Sequence, residues 1–206
     1  LIGFAGAPWT VATYMVEGGS SKTFNNVKAW ATDNFRGFDE LIKHLIEAIT
    51  IHVMNQVAAG AEVIQLFDSW AGVLSPSEYD RWCIKPVREI TQRIKNKYPD
   101  IPIIGFPKGS GVNYQHYAEK TGIDCVSIDY TVPLDWIDEA LQPGTVVQGN
   151  LDPHILRQGG ARLVQEVQDI NGALDQRPFV FNLGHGILPD TDPSNVEDLV
   201  ELVRAG

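Results

Sequence analysis

The sequence lacks several features that would each indicate a particular class of protein. It has only two cysteines, Cys83 and Cys125, and they lie far apart, which argues against a disulfide framework and favours a reducing compartment. No apolar run approaches the ~20 residues of a membrane span, and we see no signal peptide. Positive charge is scarce: 16 basic against 26 acidic residues give a net charge of −10. Nucleic acid and anionic membranes are therefore poor candidates for a partner.

The common nucleotide and nucleophile motifs are also missing. The segment "EGGSSKT" has Ser21 where a phosphate-binding loop requires glycine before its lysine, and "GSG" at 109–111 lacks the third glycine of a dinucleotide turn. Ser69 in "FDSWAG" is not in a nucleophile elbow, so a hydrogen bond from its hydroxyl to a ligand is the better interpretation. Cys83, inside a predicted helix, and Cys125, inside a predicted strand, are interpreted as packing residues.

Metal-binding patterns are absent from the sequence as well. None of the histidines belongs to an HExxH or HxC motif, and none has a neighbouring cysteine. We therefore expect no zinc site and no other metal. The histidines are His44, His52, His116, His154 and His185.

What the sequence does contain is a regular alternation of apolar runs and helical patterns. Most of the runs are continuously apolar, as in parallel strands covered on both faces. The predicted strands are Leu1–Ala5, Val63–Phe67, Ile101–Phe106, Cys125–Asp129, Thr145–Gln148 and Phe179–Asn182. The predicted helices are Phe38–Ala59, a helix capped by Ser75 and Glu78, Asn113–Thr121, Leu134–Leu141, Pro153–Ile170 and one that begins at Asp192 and Pro193.

This alternation predicts an α/β fold with a parallel sheet, specifically a (β/α)8 TIM barrel of which this chain supplies about six strands. Eight strands close such a barrel, and Leu1 already stands inside a predicted strand. We therefore expect residues 1–206 to be a single domain, a partial barrel truncated at its N-terminus, with two further strands upstream.

Unusual polar residues follow the predicted strands, where barrel enzymes carry their functional groups. Tyr14 lies in "GFAGAPWTVATYM", which could admit a ligand close to the backbone or could be a loop packed on the barrel rim. Ser69 follows the next strand. His185 stands between Gly184 and Gly186, which would free the backbone to present the ring; the alternative is a turn residue bonded to loop carbonyls.

Four segments together resemble uroporphyrinogen decarboxylases, the family of the haem and chlorophyll pathway. They are "GFAGAPWTVATYMVEGGSSK", "QLFDSWAG", "QGNLDP" and "FNLGHGILPDTDP", in the family's order from the first residue to the last. The resemblance implies a (β/α)8 barrel, a cytosolic homodimer, and neither cofactor nor metal. It implies a carboxy-lyase that converts the four acetate groups of uroporphyrinogen III into the methyl groups of coproporphyrinogen III, releasing CO2.

The resemblance also assigns roles to three residues. Tyr14 matches the tyrosine near the reacting acetate and is the candidate for tuning proton transfer, whereas Ser69 and His185 match residues that contact substrate carboxylates. The family's pyrrole-binding aspartate and its arginine loop match nothing here and are expected upstream of Leu1.

Two other functions are weighed against this one. Zinc-dependent methyltransferases acting on corrinoid or thiol acceptors share the superfamily, but they carry HxC where this chain has "FPKG". An inactive tetrapyrrole-binding barrel would have less reason to keep Tyr14, Ser69 and His185.

Overall fold

A computed structural model describes residues 1–205 and has strands at all six predicted places. Each observed end lies within three residues of the predicted one, so these predictions are confirmed. The strands are β1 Ile2–Gly6, β2 Val63–Asp68, β3 Ile103–Pro107, β4 Cys125–Ser127, β5 Val146–Leu151 and β6 Phe179–Leu183.

Helices separate the strands, as the periodicity predicts. They are α1 Pro8–Glu17, α2 Asn25–Asp33, α3 Phe35–Ala58, α4 Pro76–Glu78, α5 Lys85–Lys97, α6 Asn113–Thr121, α7 Leu134–Trp136, α8 Pro153–Gln158, α9 Gly160–Leu174 and α10 Pro193–Ala205. Segments Tyr79–Ile84 and Ile137–Leu141 are π-helical, and Ala71–Val73 is a short 3-10 turn. The predicted capping box is confirmed: Ser75 N and Ser75 Oγ both donate to Glu78.

The chain forms two compact units, Leu1–Asp124 and Cys125–Gly206. In the first unit, β1, β2 and β3 are parallel neighbours in chain order, with Ile2 opposite Val63 and Ile64 opposite Ile103. The apolar stripe of α3 covers this sheet because its inward positions recur every three or four residues. Those buried positions are Phe38, Ile42, Leu45, Ile46, Ile49 and Val53.

In the second unit, β4, β5 and β6 are again parallel neighbours, with Cys125 opposite Val146 and Val147 opposite Phe179. Helix α9 buries Leu163, Val167 and Ile170 on one face. Both units thus repeat a strand, a helix and a parallel strand, which confirms the α/β class. That residues 1–206 form one domain stays a prediction.

One alternative and one helix prediction differ from the structure. The segment containing Tyr14, for which a loop on the barrel rim was one of two interpretations, is helix α1. The predicted helix Pro153–Ile170 is interrupted at Gly159 and Gly160, both at φ +66°. Asn195 Nδ2 donates to the carbonyls of Leu156 and Arg157 at 3.0 Å each, so a side chain from α10 terminates α8.

Candidate active site

The carboxyl ends of β1 and β2 lie side by side in the first unit and carry two of the predicted site residues. The amide of Ala7, after β1, donates to the carbonyl of Phe67 at 2.8 Å. Helix α1 begins at once with Pro8 at its first position, where the missing N–H costs nothing. Ser69 leaves β2 at the same end, half-buried.

Tyr14 lies on α1 with 43% of its surface exposed. Its ring packs edge-on against that of Trp70, with the centroids 6.2 Å apart and the planes at 63°. Trp70 follows Ser69 directly, so the structure brings Tyr14 to the Ser69 segment as the sequence predicts. That either residue binds substrate stays a prediction.

Trp70 joins the site although sequence reasoning gave it no role. Its ring packs against Phe24 at 5.1 Å between centroids, and its carbonyl accepts a hydrogen bond from Trp9 Nε1 at 3.0 Å. Phe24 adopts the left-handed conformation, φ +56°, which non-glycine residues rarely do. The side chains of Trp70 and Tyr14 therefore line one edge of the site, and the buried Phe24 packs against Trp70. The signal available in the sequence was a tryptophan directly after Ser69.

Beneath this aromatic edge, a buried hydroxyl meets a buried carboxyl. Thr10 Oγ1, on α1, donates to Asp68 Oδ1, at the end of β2, at 2.7 Å. The amide of Trp70 donates to Thr10 Oγ1 at 3.3 Å. Burial raises the pKa of Asp68 to about 6, against the opposing effect of hydrogen bonds from Thr10 and Cys83.

The groups that surround Asp68 stay neutral near pH 7. Burial raises the pKa of Cys83 well above its ordinary value, and the Asp68 charge adds to the effect. Burial likewise raises the pKa values of Tyr79 and Tyr117. Tyr79 Oη lies 2.7 Å from Ser110 Oγ. Asp68 is therefore the group of this cluster that titrates in the physiological range.

The turns that follow β2 and β3 meet backbone to backbone. The amide of Gly72 donates to the carbonyl of Lys108 at 3.0 Å. A Cβ at Gly72 would lie 2.5 Å from the carbonyl oxygen of Gly109. Glycine is thus required at position 72, because any side chain there would clash with the Gly109 backbone. The close approach of the two backbones fixes the path of the chain just beyond Ser69.

His185 follows β6 in the second unit, on an exposed turn. Of its two flanking glycines only Gly184 is closely packed: a Cβ there would lie 2.3 Å from the amide nitrogen of Tyr130, whereas nothing lies within 4 Å of one at Gly186. Neither glycine has a positive φ, so neither is required by its backbone conformation, and their role in presenting the His185 ring stays a prediction. Gly184 instead permits the end of β6 to approach the chain after β4.

Two further strand-end carboxylates support turns. Asp129 Oδ1 accepts the amide of Thr131 at 3.0 Å, and Asp152 Oδ1 accepts the amide of His154 at 2.8 Å at the start of α8. Both cysteines are buried, in agreement with their predicted packing role. In residues 1–205 no three His, Cys, Asp or Glu side chains gather as a metal site requires. No helix within that range is long and apolar enough to cross a membrane.

Parallel strand–helix repeats with polar groups beyond the strand ends are the arrangement found in α/β barrels. Solved structures agree. A B12-independent methionine synthase from Shewanella sp. W3-18-1 superposes with a TM-score of 0.62 at 12% identity, over 82% of this chain and 54% of that one. A dihydropteroate synthase from Anaplasma phagocytophilum gives 0.56 at 11%, over 78% of this chain and 71% of that one. At such identities the likeness concerns the fold, and the prediction of a partial (β/α)8 barrel is confirmed.

The chain belongs to the uroporphyrinogen decarboxylase family, whose sequence profile matches residues 1–206. The uroporphyrinogen decarboxylase of Rhodospirillum rubrum is 51% identical over 100% of this chain and 59% of its own length. That of Granulibacter bethesdensis is 46% identical over 99% of this chain and 60% of its own length. The chain thus spans about three-fifths of the length of these relatives.

Proposed function

We propose that the complete protein containing this chain decarboxylates uroporphyrinogen III to coproporphyrinogen III in porphyrin biosynthesis. The observation that carries the proposal is the meeting of Tyr14 with the Ser69–Trp70 segment at the carboxyl ends of β1 and β2. Family membership over the whole chain supports the choice of reaction.

The reaction requires an electron sink and a supply of protons. Protonation of a pyrrole carbon makes the ring cationic, so that the electrons of the breaking bond between the acetate CH2 and its carboxylate flow into the ring. CO2 leaves, a proton adds to the CH2 carbon, and the ring proton is lost, so each acetate becomes a methyl group with net uptake of one proton. The substrate itself serves as the sink, and the enzyme must orient it and deliver protons.

Each predicted residue has a chemistry suited to this task. The exposed Tyr14 hydroxyl is the group proposed to tune proton transfer at the reacting acetate. Ser69 is proposed to donate a hydrogen bond to a substrate carboxylate, and the exposed His185 to contact another. The half-buried Trp70 and the exposed Tyr14 offer an aromatic surface on which a flat pyrrole can pack.

The protein is further proposed to work as a cytoplasmic homodimer without cofactor or metal, as its family resemblance implies. The methyltransferase alternative loses support because β3 ends at Pro107 and is followed by Lys108, with no HxC motif. Inactive tetrapyrrole binding is the remaining alternative, and the assay below separates it from catalysis.

The test is anaerobic incubation of the complete gene product with enzymatically prepared uroporphyrinogen III, followed by chromatographic resolution of the oxidised porphyrins. We expect coproporphyrin to accumulate, preceded by species with seven, six and five carboxylates. Binding of uroporphyrinogen without any product would favour the inactive alternative. Residues 1–206 expressed alone, which span three-fifths of the relatives' length, should yield no product; turnover by this piece would refute the expected need for residues beyond it.

A further inference from the structure

The buried hydrogen bond between Thr10 and Asp68, beneath the Trp70 and Tyr14 side chains, has no role in the chemistry proposed above. Thr10 and Asp68 are 5% and 0% exposed, 58 residues apart in sequence, and joined by the 2.7 Å hydrogen bond from Thr10 Oγ1 to Asp68 Oδ1. The same hydroxyl oxygen accepts the Trp70 amide at 3.3 Å. One threonine side chain thus links α1 both to the last residue of β2 and to the segment that carries Ser69.

The position of Thr10 on α1 makes this link relevant to Tyr14. The two residues are four apart, so their side chains stand on the same face of the helix, one turn from each other. A hydrogen bond at Thr10 therefore fixes the rotation of α1 about its axis at the turn that precedes Tyr14. The edge-on contact of Tyr14 with Trp70, which follows from that rotation, is 6.2 Å between ring centroids.

Stability alone gives little reason for a carboxyl here. A valine at position 10 and an apolar residue at position 68 would fill similar volumes without burying a titratable group, whose isolation from water is costly. Other contacts already join the same elements: Ala7 N donates to Phe67 O at 2.8 Å, and Trp9 Nε1 donates to Trp70 O at 3.0 Å. The Thr10–Asp68 hydrogen bond also restricts how α1 is oriented on β2, because a hydrogen bond has a preferred geometry.

We propose that Thr10 and Asp68 are positioning residues of the site: their hydrogen bond sets α1 against the end of β2 and so holds Tyr14 beside the Ser69–Trp70 segment. This inference rests on the proposed decarboxylation. Neither residue is proposed to touch the substrate. They act on it through Tyr14 and Ser69.

Matched substitutions in the complete gene product separate positioning from stability. Thr10→Val removes the hydroxyl and keeps the shape, whereas Thr10→Ser keeps the hydroxyl. The control is Thr13→Val on the same helix. Thr13 is 1% exposed, and its hydroxyl donates only to Trp9 O, within α1, at 2.9 Å. Thr13→Val loses one buried hydrogen bond, whereas Thr10→Val loses two and removes a donor from the buried Asp68 carboxyl. Both melting temperatures should therefore fall, that of Thr10→Val further, and kinetics are compared at a temperature at which both variants are folded.

The kinetics should differ between the two valine variants. We expect kcat of Thr10→Val to fall by about tenfold or more with a small change in KM, because misplacement of a group that acts in the transition state lowers kcat. Partly decarboxylated porphyrins should accumulate in reactions of the Thr10→Val variant. Thr10→Ser should have a kcat close to that of the wild type, and Thr13→Val should keep the wild-type kcat.

Three results would overturn the inference: kcat of Thr10→Val within about twofold of the wild type, an equal loss in Thr13→Val, or no recovery in Thr10→Ser. If the wild-type protein itself yields no product, the proposed decarboxylation fails, and hydrogen exchange then tests the link by itself. Exchange at the Trp70 amide should accelerate in Thr10→Val and stay unchanged in Thr13→Val. Unchanged exchange in Thr10→Val would refute the link without any assay of activity.

Discussion

Asp68 is the residue whose ionisation bears most directly on stability. Its pKa in the folded chain, about 6, lies above the ordinary value of 3.8, so the folded state holds this proton more firmly than the unfolded state does. The stabilisation is complete below about pH 4 and is lost as the pH rises through about 6; the shift corresponds to about 3 kcal/mol. Hydrogen bonds from Thr10 and Cys83 offset only part of this cost at neutral pH, because the neighbouring Cys83, Tyr79 and Tyr117 stay neutral and supply no positive charge.

Asp68→Asn should therefore remove this pH dependence while its amide oxygen still accepts from Thr10. Urea denaturation of both proteins from pH 4 to pH 8 measures the effect as the difference between their free energies of unfolding. That difference should move in favour of Asn by about 2.5 kcal/mol between pH 4 and pH 8, and other titrating groups cancel from it. A difference that stays flat with pH would mean that Asp68 titrates in the folded chain as it does in the unfolded one.

His185 is the second residue with a direct prediction. If it contacts a substrate carboxylate, His185→Asn keeps a hydrogen-bonding side chain and should slow or reorder the four decarboxylations without abolishing them. The distribution of porphyrins with seven, six and five carboxylates, followed over time, is the measurement. Complete loss of activity in a variant with an unchanged melting temperature would give His185 a larger, catalytic role.

Among the elements of the second unit, the end of β6 packs closely against the chain after β4 at Gly184. Gly184→Ala would place a methyl group 2.3 Å from the Tyr130 amide nitrogen. We expect it to lower the free energy of unfolding by about 1–3 kcal/mol, the usual cost of overpacking. Gly186→Ala is the matched control and should change stability by less than about 0.5 kcal/mol, because open space surrounds that position. Equal effects would contradict this difference in packing.

Helix α1, like α2, was not predicted from the sequence. Ala7 supplies no side-chain cap, and Thr10, Val11 and Thr13 are weak helix formers, so Pro8 at the first position is a weak local signal standing alone. Burial of Trp9 and Ala12 against α3 and β2 stabilises the helix, and such contacts cannot be read from the segment itself. The strands were predictable because each is a short apolar run, whose signal is local.

At the scale of the whole chain, the sequence predicted which side chains leave the strand ends but not how they touch. Tyr14 and Ser69 could be expected at the same edge because β1 and β2 are parallel neighbours. The Thr10–Asp68 hydrogen bond could not, since it joins residues 58 apart and depends on the rotation of a helix that was itself missed. The sequence shows only that Trp70 follows Ser69. Its packing against Tyr14 and Phe24 depends on the tertiary structure and could not be predicted.

The backbone contact between Gly72 and the Gly109 carbonyl has a consequence for how this site can evolve. The turns after β2 and β3 share one point at which no side chain fits, so neither can be lengthened or re-routed there without displacing the other. If these turns border the substrate as proposed, relatives that prefer other substrates should differ in the side chains around that point, such as Trp70, and keep the same backbone path.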